Sequence, residues 1–381
     1  MKPPVLDRFD ADVAIIGAGP AGCAAALTLA NHTTLKVVML ERSGPQERPA
    51  EMLPPDAVKL LAYLQAPKDL LQAHHREVAH LTSAWGSEQL QSHSLLFAGR
   101  GRGWQIDRQQ LEFQLRDLAE SRGIAHLRAG LKKARRTQEG WRLITSQRTE
   151  LSARFLIDAS GRAAKIARKE GGHAHHADAM ASVWRTYHQP YAKDSIPGGT
   201  TLIESVEHGW WYSSALPGNR IAVGFFADTA YIQSHFTNAP QAWNDCLQQT
   251  LHTLKRIGTP TAVSSLKTQP CDVRFFERSH SHDWVACGDA ALTLDPLSSA
   301  GVSMGLVTGS QAARLAAAAC AGQAIAHCDY SAQIHRIATD HLKERIAYYR
   351  QEGRWPASPF WQQRGGAHAL APESVSAAGG S

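Results

Sequence analysis

The feature that most limits what this chain can fold into is a short glycine-rich turn placed between a strand and a helix. Asp12 to Ile16 is an apolar run, Gly17-Ala18-Gly19-Pro20-Ala21-Gly22 satisfies G-x-G-x-x-G, Pro20 to Ala30 reads as an Ala/Leu helix, and Leu35 to Leu40 is a β-branched run. Glu41 closes that second strand, with Arg42 beside it. In such a βαβ unit Gly17 permits the tight turn, Gly19 lets backbone approach a diphosphate, and Gly22 lets helix pack on strand. The helix start at Pro20 and Ala21 then faces the phosphate charge, and Glu41 can accept ribose hydroxyls. The motif predicts dinucleotide binding and leaves open which dinucleotide is held.

Bulk properties narrow the class. The 381 residues are 43% hydrophobic and 19% charged, an ordinary globular balance. Lysine and arginine exceed acidic residues by 40 − 34 = 6. That excess is dispersed, and its one dense run, Lys132, Lys133, Arg135 and Arg136, lacks interleaved aromatics, so an anionic cofactor is expected rather than nucleic acid. The six cysteines form no C-x-x-C pair, and the 19 histidines show no ligand spacing, so neither a disulfide framework nor a metal is expected. No apolar run approaches the roughly 20 residues of a membrane span, and the nucleotide strand begins too early for a signal segment. A soluble, cytoplasmic protein is expected, with no membrane partner.

Farther along, Gln109 to Arg122 carries a helical stripe of Leu111, Leu115 and Leu118 ending at Gly123. Strands are expected at Trp141 to Thr145 and Phe155 to Ile157. Residues 180 to 227 read as antiparallel, around Gly209-Trp210-Trp211-Tyr212 and Ile221 to Phe226, divided by Pro217-Gly218-Asn219. Adjacent tryptophans on a strand point to opposite faces, so at most one of Trp210 and Trp211 faces a ligand. Trp284 to Cys287 is a further buried strand, and Val302 to Ala321 an Ala-rich helix.

The expected fold is therefore α/β: a discontinuous Rossmann-like cofactor domain (8–80, 100–175 and 275–330) with an inserted antiparallel substrate-side sheet (81–99 and 176–274). A helical segment (331–364) and a disordered tail (365–381) follow.

Several motifs resemble those of the flavin monooxygenases related to para-hydroxybenzoate hydroxylase. Gly288-Asp289-Ala290-Ala291 matches their second fingerprint, continued by Asp295-Pro296-Leu297-Ser298-Ser299-Ala300-Gly301-Val302. Trp104-Gln105-Ile106-Asp107-Arg108 is similar to the segment whose arginine contacts the FAD diphosphate region. Asp158-Ala159-Ser160-Gly161 is similar to the middle Asp-Gly fingerprint, though here Ser160 precedes the glycine. The resemblance implies FAD as cofactor, Asp289 on the ribityl chain, Pro296 in the following loop, and the Gly301 and Val302 amides at the flavin pyrimidine edge.

A narrower resemblance joins Glu51-Met52-Leu53-Pro54-Pro55, Ser83-Ala84-Trp85-Gly86-Ser87, Gly209-Trp210-Trp211-Tyr212 and Asp295-Pro296-Leu297-Ser298-Ser299. Together they look like the branch that holds the tryptophan halogenases and the flavoproteins that hydroxylate a tryptophan side chain during tryptophylquinone maturation. The halogenases imply a lysine near the second segment, and this stretch has none. The resemblance thus implies hydroxylation of an indole or phenol by molecular oxygen through a flavin hydroperoxide. The substrate would be an aromatic small molecule or a Trp-containing partner polypeptide. Halogenation, or oxygen-independent reduction by the flavin, are the alternatives. Glu51 and Trp211 are the candidate groups at the reacting face. With one dinucleotide motif, electrons come from NAD(P)H binding transiently or from a separate reductase.

Overall fold

A computed structural model describes residues 8–42, 51–78, 80–95, 102–188, 201–236, 240–258, 261–325 and 328–366. The apolar run before the glycine turn becomes the strand Arg8–Ile16, the centre of a seven-stranded sheet. Val13 to Ile16 are all buried, as expected of a strand covered on both faces. Parallel neighbours Val37–Leu40 and Glu150–Asp158 flank it, and Ala125–Leu127 lies outside Val37–Leu40. The other side of Glu150–Asp158 is shared. Its first half pairs antiparallel with Gly140–Thr145, and its last three residues pair parallel with Trp284–Ala286.

Two helices press together over this sheet, Pro20–His32 and Gly301–Cys320. Their approach is close because small residues meet at the crossing. A Cβ built on Gly309 would stand 2.2 Å from the Ala21 carbonyl oxygen, and one on Gly288 would stand 2.8 Å from the Ala21 Cβ. Van der Waals contact forbids both, so Gly309 sets the distance between the helices and Gly288 lets the turn Gly288–Ala290 close on the first of them.

The second sheet runs Thr261–Ala262, Met180–His188, Arg220–Asp228, Gly209–Leu216, Thr201–Val206, His80–Ala84 and Gln91–Ser94, with Lys267–Pro270 also on Met180–His188. Its central hairpin turns at Pro217 to Asn219, where Gly218 and Asn219 take φ of +74° and +54°. Glycine and asparagine tolerate that region better than other residues. The sheet departs from the antiparallel expectation in one place: His80–Ala84 runs parallel to Thr201–Val206. Those strands are separated by more than a hundred residues that include strands of the first sheet, so no hairpin forces their direction.

Alternation sorts the aromatics of this sheet. One face carries Val183, Trp211, Val223 and Phe225 against Ile232, Phe236 and Trp243 of the helices Thr229–Phe236 and Pro240–Gln248. The other face carries Trp184, Trp210, Tyr212 and Phe226. A three-stranded sheet, Glu51–Leu53, Gly103–Ile106 and Arg76–Val78, lies beside the second face.

The C-terminal helices Tyr330–Tyr349 and Pro359–Gly365 pack on the same face through Tyr349, Phe360 and Trp361. Most of the tail expected to be disordered lies outside the described residues, while Gly365 and Gly366 are ordered on Arg350 and Gln362.

Candidate active site

At the glycine turn the three motif glycines have different reasons. Gly17 takes φ +114°, and a Cβ there would meet the Ala159 carbonyl oxygen at 2.2 Å. A Cβ on Gly22 would meet the Gly17 oxygen at 1.9 Å. Gly19 is different: the nearest atom to its Cβ would be Glu112 Oε1 at 3.8 Å. Fold geometry demands the first and third glycines, whereas the middle one opens onto a cleft.

Pro20 opens the helix and Gly19 caps it without a side-chain acceptor, so the amides of the first turn keep their positive end toward that cleft.

A chain of contacts leads from there to the start of the second helix. Glu112, beside Gly19, accepts from Arg108 Nε at 2.8 Å, and Arg108 Nη1 donates to Glu51 Oε1 at 2.5 Å. Glu51 Oε2 lies 4.0 Å from a Cβ position on Gly301. Burial alone would lower the Arg108 guanidinium, but Glu51, Glu112 and Asp289 outweigh it and hold Arg108 above its ordinary value. Gly301 and buried Val302 begin a helix whose cap residue, Ala300, also supplies no side-chain acceptor.

The loop before that helix is held from within. Asp295 Oδ1 accepts the Leu297 amide at 3.0 Å, Pro296–Ser298 form a 3-10 turn, and Ser299 sits at φ +50°. Asp289 occupies the 3-10 turn Gly288–Ala290, with its carbonyl accepting from Arg274 at 3.2 Å. Glu41, at the end of Val37–Leu40, is gripped by Arg116 at 2.5 Å and His126 at 3.2 Å. Burial works against its charge, yet the His126 hydrogen bond and the Arg116 charge hold its carboxyl below the usual range. Arg42 is exposed, and its first side-chain carbons lie against Gly130.

These residues fit FAD. The middle glycine leaves room for a diphosphate, two uncapped helix starts and a guanidinium offer positive charge, and an acid stands at the end of the second strand.

The structure brings Gly19, Arg108, Glu51, Asp289 and Gly301 to one cleft. It does not bring Trp211, which is 1% exposed on the opposite face of the sheet, edge-on to Trp243 and tilted against Phe225. Period-two alternation puts Trp210 and Tyr212 on the cleft side instead. Asp158 is also turned inward. Its carboxylate accepts the amides of Ser160, Ile166 and Ala167 and the Ser160 hydroxyl, so it shapes the loop under the glycine turn.

Several groups without a predicted role join the site. Gln105 Nε2 donates to the Glu51 carbonyl, while its Oε1 accepts from Thr201 and Tyr212, each at 3.3 Å. Trp184 lies flat over Gly224, whose absent Cβ would stand 2.7 Å from the indole. Behind the loop, Asp295 Oδ2 accepts from Arg345 at 2.8 Å and the Tyr349 hydroxyl at 3.1 Å, and Tyr349 in turn accepts from Trp210. Glu112 was open to detection, four residues after Arg108 on a helix; the others depend on pairing between distant segments.

Where the halogenases imply a lysine, the loop after His80–Ala84 is stitched to the C-terminal segment. Trp85 Nε1 donates to the Tyr348 carbonyl, its ring meets Tyr349 and Trp361 edge-on, and the Gly86 amide donates to Glu352 at 2.8 Å.

The family model for tryptophan halogenase matches residues 60–376, and an FAD binding domain model matches residues 12–50. This chain belongs to the tryptophan halogenase family. It is a flavin-dependent oxidoreductase with FAD as its cofactor.

Among curated relatives, LodB of Marinomonas mediterranea, whose name describes it as an FAD-dependent oxidoreductase, is 28% identical over 361 residues, 93% of this chain and 96% of that one. Two solved structures share the fold. The flavin-dependent halogenase CmlS has a TM-score of 0.82 at 24% identity, covering 95% of this chain and 68% of that one. QhpG, a peptidyl tryptophan dihydroxylase essential for tryptophylquinone cofactor biogenesis, has a TM-score of 0.76 at 19% identity, covering 93% and 78%. Among the described residues no helix is long and apolar enough to cross a membrane, and no group of three His, Cys, Asp or Glu side chains could hold a metal ion.

Proposed function

We propose that this member of the family is an FAD-dependent monooxygenase that hydroxylates an aromatic ring, with the indole of a tryptophan side chain in a partner polypeptide as the preferred substrate. Lysine placement carries the reading. Every lysine among the described residues is solvent-exposed, and the Ser83 to Ser87 loop spends its tryptophan and glycine on holding the C-terminal helices. Lys2 and Lys193 lie outside the described residues. Capture of hypohalous acid needs an amine inside the cleft, whereas direct transfer of oxygen to an electron-rich carbon needs orientation and dryness. The likeness to LodB along nearly its whole length supports an oxidoreductase, and the QhpG fold supports a protein-borne indole.

Bound FAD, once reduced, supplies the oxygen activation. The electrons come from NAD(P)H or a separate reductase, since only one dinucleotide motif is present. In this reading Arg108 holds the diphosphate and is oriented by Glu112 and Glu51. The amides at Gly301 and Val302 stabilise negative charge on the flavin ring. Glu51, paired with Arg108 and beside the helix start at Gly301, is the carboxylate available to orient the substrate or handle a proton. Tyr212 and Trp184 present the aromatic wall.

The test mixes photoreduced holo-protein with oxygen and either free L-tryptophan or a tryptophan-containing peptide. Hydroxylated indole, formed faster on the peptide, is the expected product. Complete reoxidation with neither substrate altered would sink the proposal.

A further inference from the structure

The six cysteines are all free, and five share one situation. Cys23, Cys271 and Cys287 are fully buried, and burial pushes their thiols up; burial also raises half-buried Cys246 and Cys320. Such thiols are poor nucleophiles, because the thiolate is the reacting form.

Cys328 is placed differently. It is half-buried just ahead of the helix Tyr330–Tyr349, and its Sγ lies 3.1 Å from His280 Nε2. The other ring nitrogen, Nδ1, lies 2.8 Å from Ser331 Oγ. Ser331 Oγ accepts the Ser279 amide at 3.0 Å and can turn its hydroxyl proton toward Nδ1. The ring proton then resides on Nε2, toward the sulfur. The Cys328 amide donates to the Ile325 carbonyl at 3.0 Å. Burial lowers His280, so at neutral pH it acts as an uncharged donor. Among the described residues the remaining titratable neighbours are exposed Asp329, which is paired with Arg336, and buried Tyr330, which donates to the Ala286 carbonyl near Cys287.

We propose that Cys328, with His280 as hydrogen-bond donor and Ser331 fixing its tautomer, is a reactive thiol that takes hydroperoxides. The Cys328 thiolate attacks one oxygen of hydrogen peroxide. An S–O bond forms, the O–O bond breaks, sulfur is oxidised to sulfenic acid, and the departing hydroxide takes a proton from solvent and leaves as water. The two-electron oxidant is hydrogen peroxide taken from solution. This site is separate from the flavin cleft and does not depend on the hydroxylation reading.

The experiment treats the FAD-loaded protein with less than one equivalent of hydrogen peroxide, traps sulfenic acid with dimedone and maps the adduct by mass spectrometry. Alkylation rates with iodoacetamide across pH are measured beside it. Adduct at Cys328 is expected, with alkylation there about tenfold faster at neutral pH than at any other cysteine. His280→Asn should slow alkylation of Cys328 about tenfold while leaving the rates of the other cysteines unchanged, and Ser331→Ala should do the same more weakly. The flavin spectrum reports folding, and Ser331→Ala serves if His280→Asn does not fold. Adduct at other cysteines, or Cys328 reacting equally fast in a folded variant, would overturn the proposal.

Discussion

The two ends of the cleft are built on opposite principles. At the glycine turn the work is done by backbone: amides at a helix start, with glycines where a side chain would collide with the Ala159 or Gly17 carbonyl. At the sheet face it is done by side chains delivered from far apart, with Gln105, Tyr212, Thr201 and Trp184 meeting across four strands, and Arg345 and Tyr349 bracing Asp295 from the C-terminal helix. The first end is therefore written in neighbouring residues and tolerates no side chain at Gly17 or Gly22. The second is a network of side chains brought together from separate strands and helices.

The sharpest way to break this contrast is to remove a charge from the brace. Arg345 is buried against Asp178 and Asp295, and Arg364 joins Asp178 from the last helix. Arg345→Met leaves two buried carboxylates with one fewer cation, and a stability loss of about 3–5 kcal/mol is expected by chemical denaturation. A loss below about 1 kcal/mol would show that the brace carries little.

Next is a comparison inside the glycine motif. Gly17→Ala puts a Cβ onto the Ala159 carbonyl at a positive φ and should cost about 3 kcal/mol, with FAD lost on gel filtration. Gly19→Ala finds space, so the melting temperature should hardly move while FAD affinity falls about tenfold. Equal stability losses in the two would contradict the division of roles.

Arg108→Ala should weaken FAD binding by about ten- to hundredfold in a fluorescence titration. Arg108→Lys should recover only part, because a point charge does not replace a fork held by Glu51 and Glu112.

The smallest effect is on pH. The Glu41 hydrogen bond raises His126 despite burial, so the stability this pair adds is full below the ordinary histidine value and fades as pH rises through the raised one. Glu41 is lowered, so its share is present above the ordinary carboxylate range and fades as pH falls through the lowered value. Their joint contribution should peak in mildly acidic buffer. Because Glu41 is partly solvated, it should amount to less than about 1 kcal/mol. His126→Gln should flatten the decline of melting temperature from mildly acidic to mildly alkaline pH.

This division also explains what the amino-acid sequence discloses. The βαβ unit, the helix after Arg108, the turn at Gly218 and Asn219 and the long helix from Gly301 follow from local pattern, and each lies within a few residues of its expected place. The strand Glu150–Asp158 is longer than its apolar core suggests. Ser152 and Arg154 alternate with buried Leu151 and Ala153 in the half that pairs with Gly140–Thr145, and only the last half reads as continuous apolar residues.

Trp211 illustrates the limit of a motif. Two adjacent tryptophans are recognisable in sequence, but which one faces the cleft is fixed by the register of Gly209–Leu216 and by helices that follow it. Trp184 and Gln105 carry no local mark at all. Their significance arises from pairing with Gly224 and from the approach of the small three-stranded sheet.

The central claim is that a chain of the halogenase family carries out hydroxylation, and one product analysis tests it most directly. Photoreduced, FAD-loaded protein is mixed with isotopically labelled oxygen and a tryptophan-containing peptide in saturating bromide. The account predicts an indole that has gained one labelled oxygen atom and no bromine. A brominated indole would contradict it and return the chain to the chemistry of its halogenase relatives.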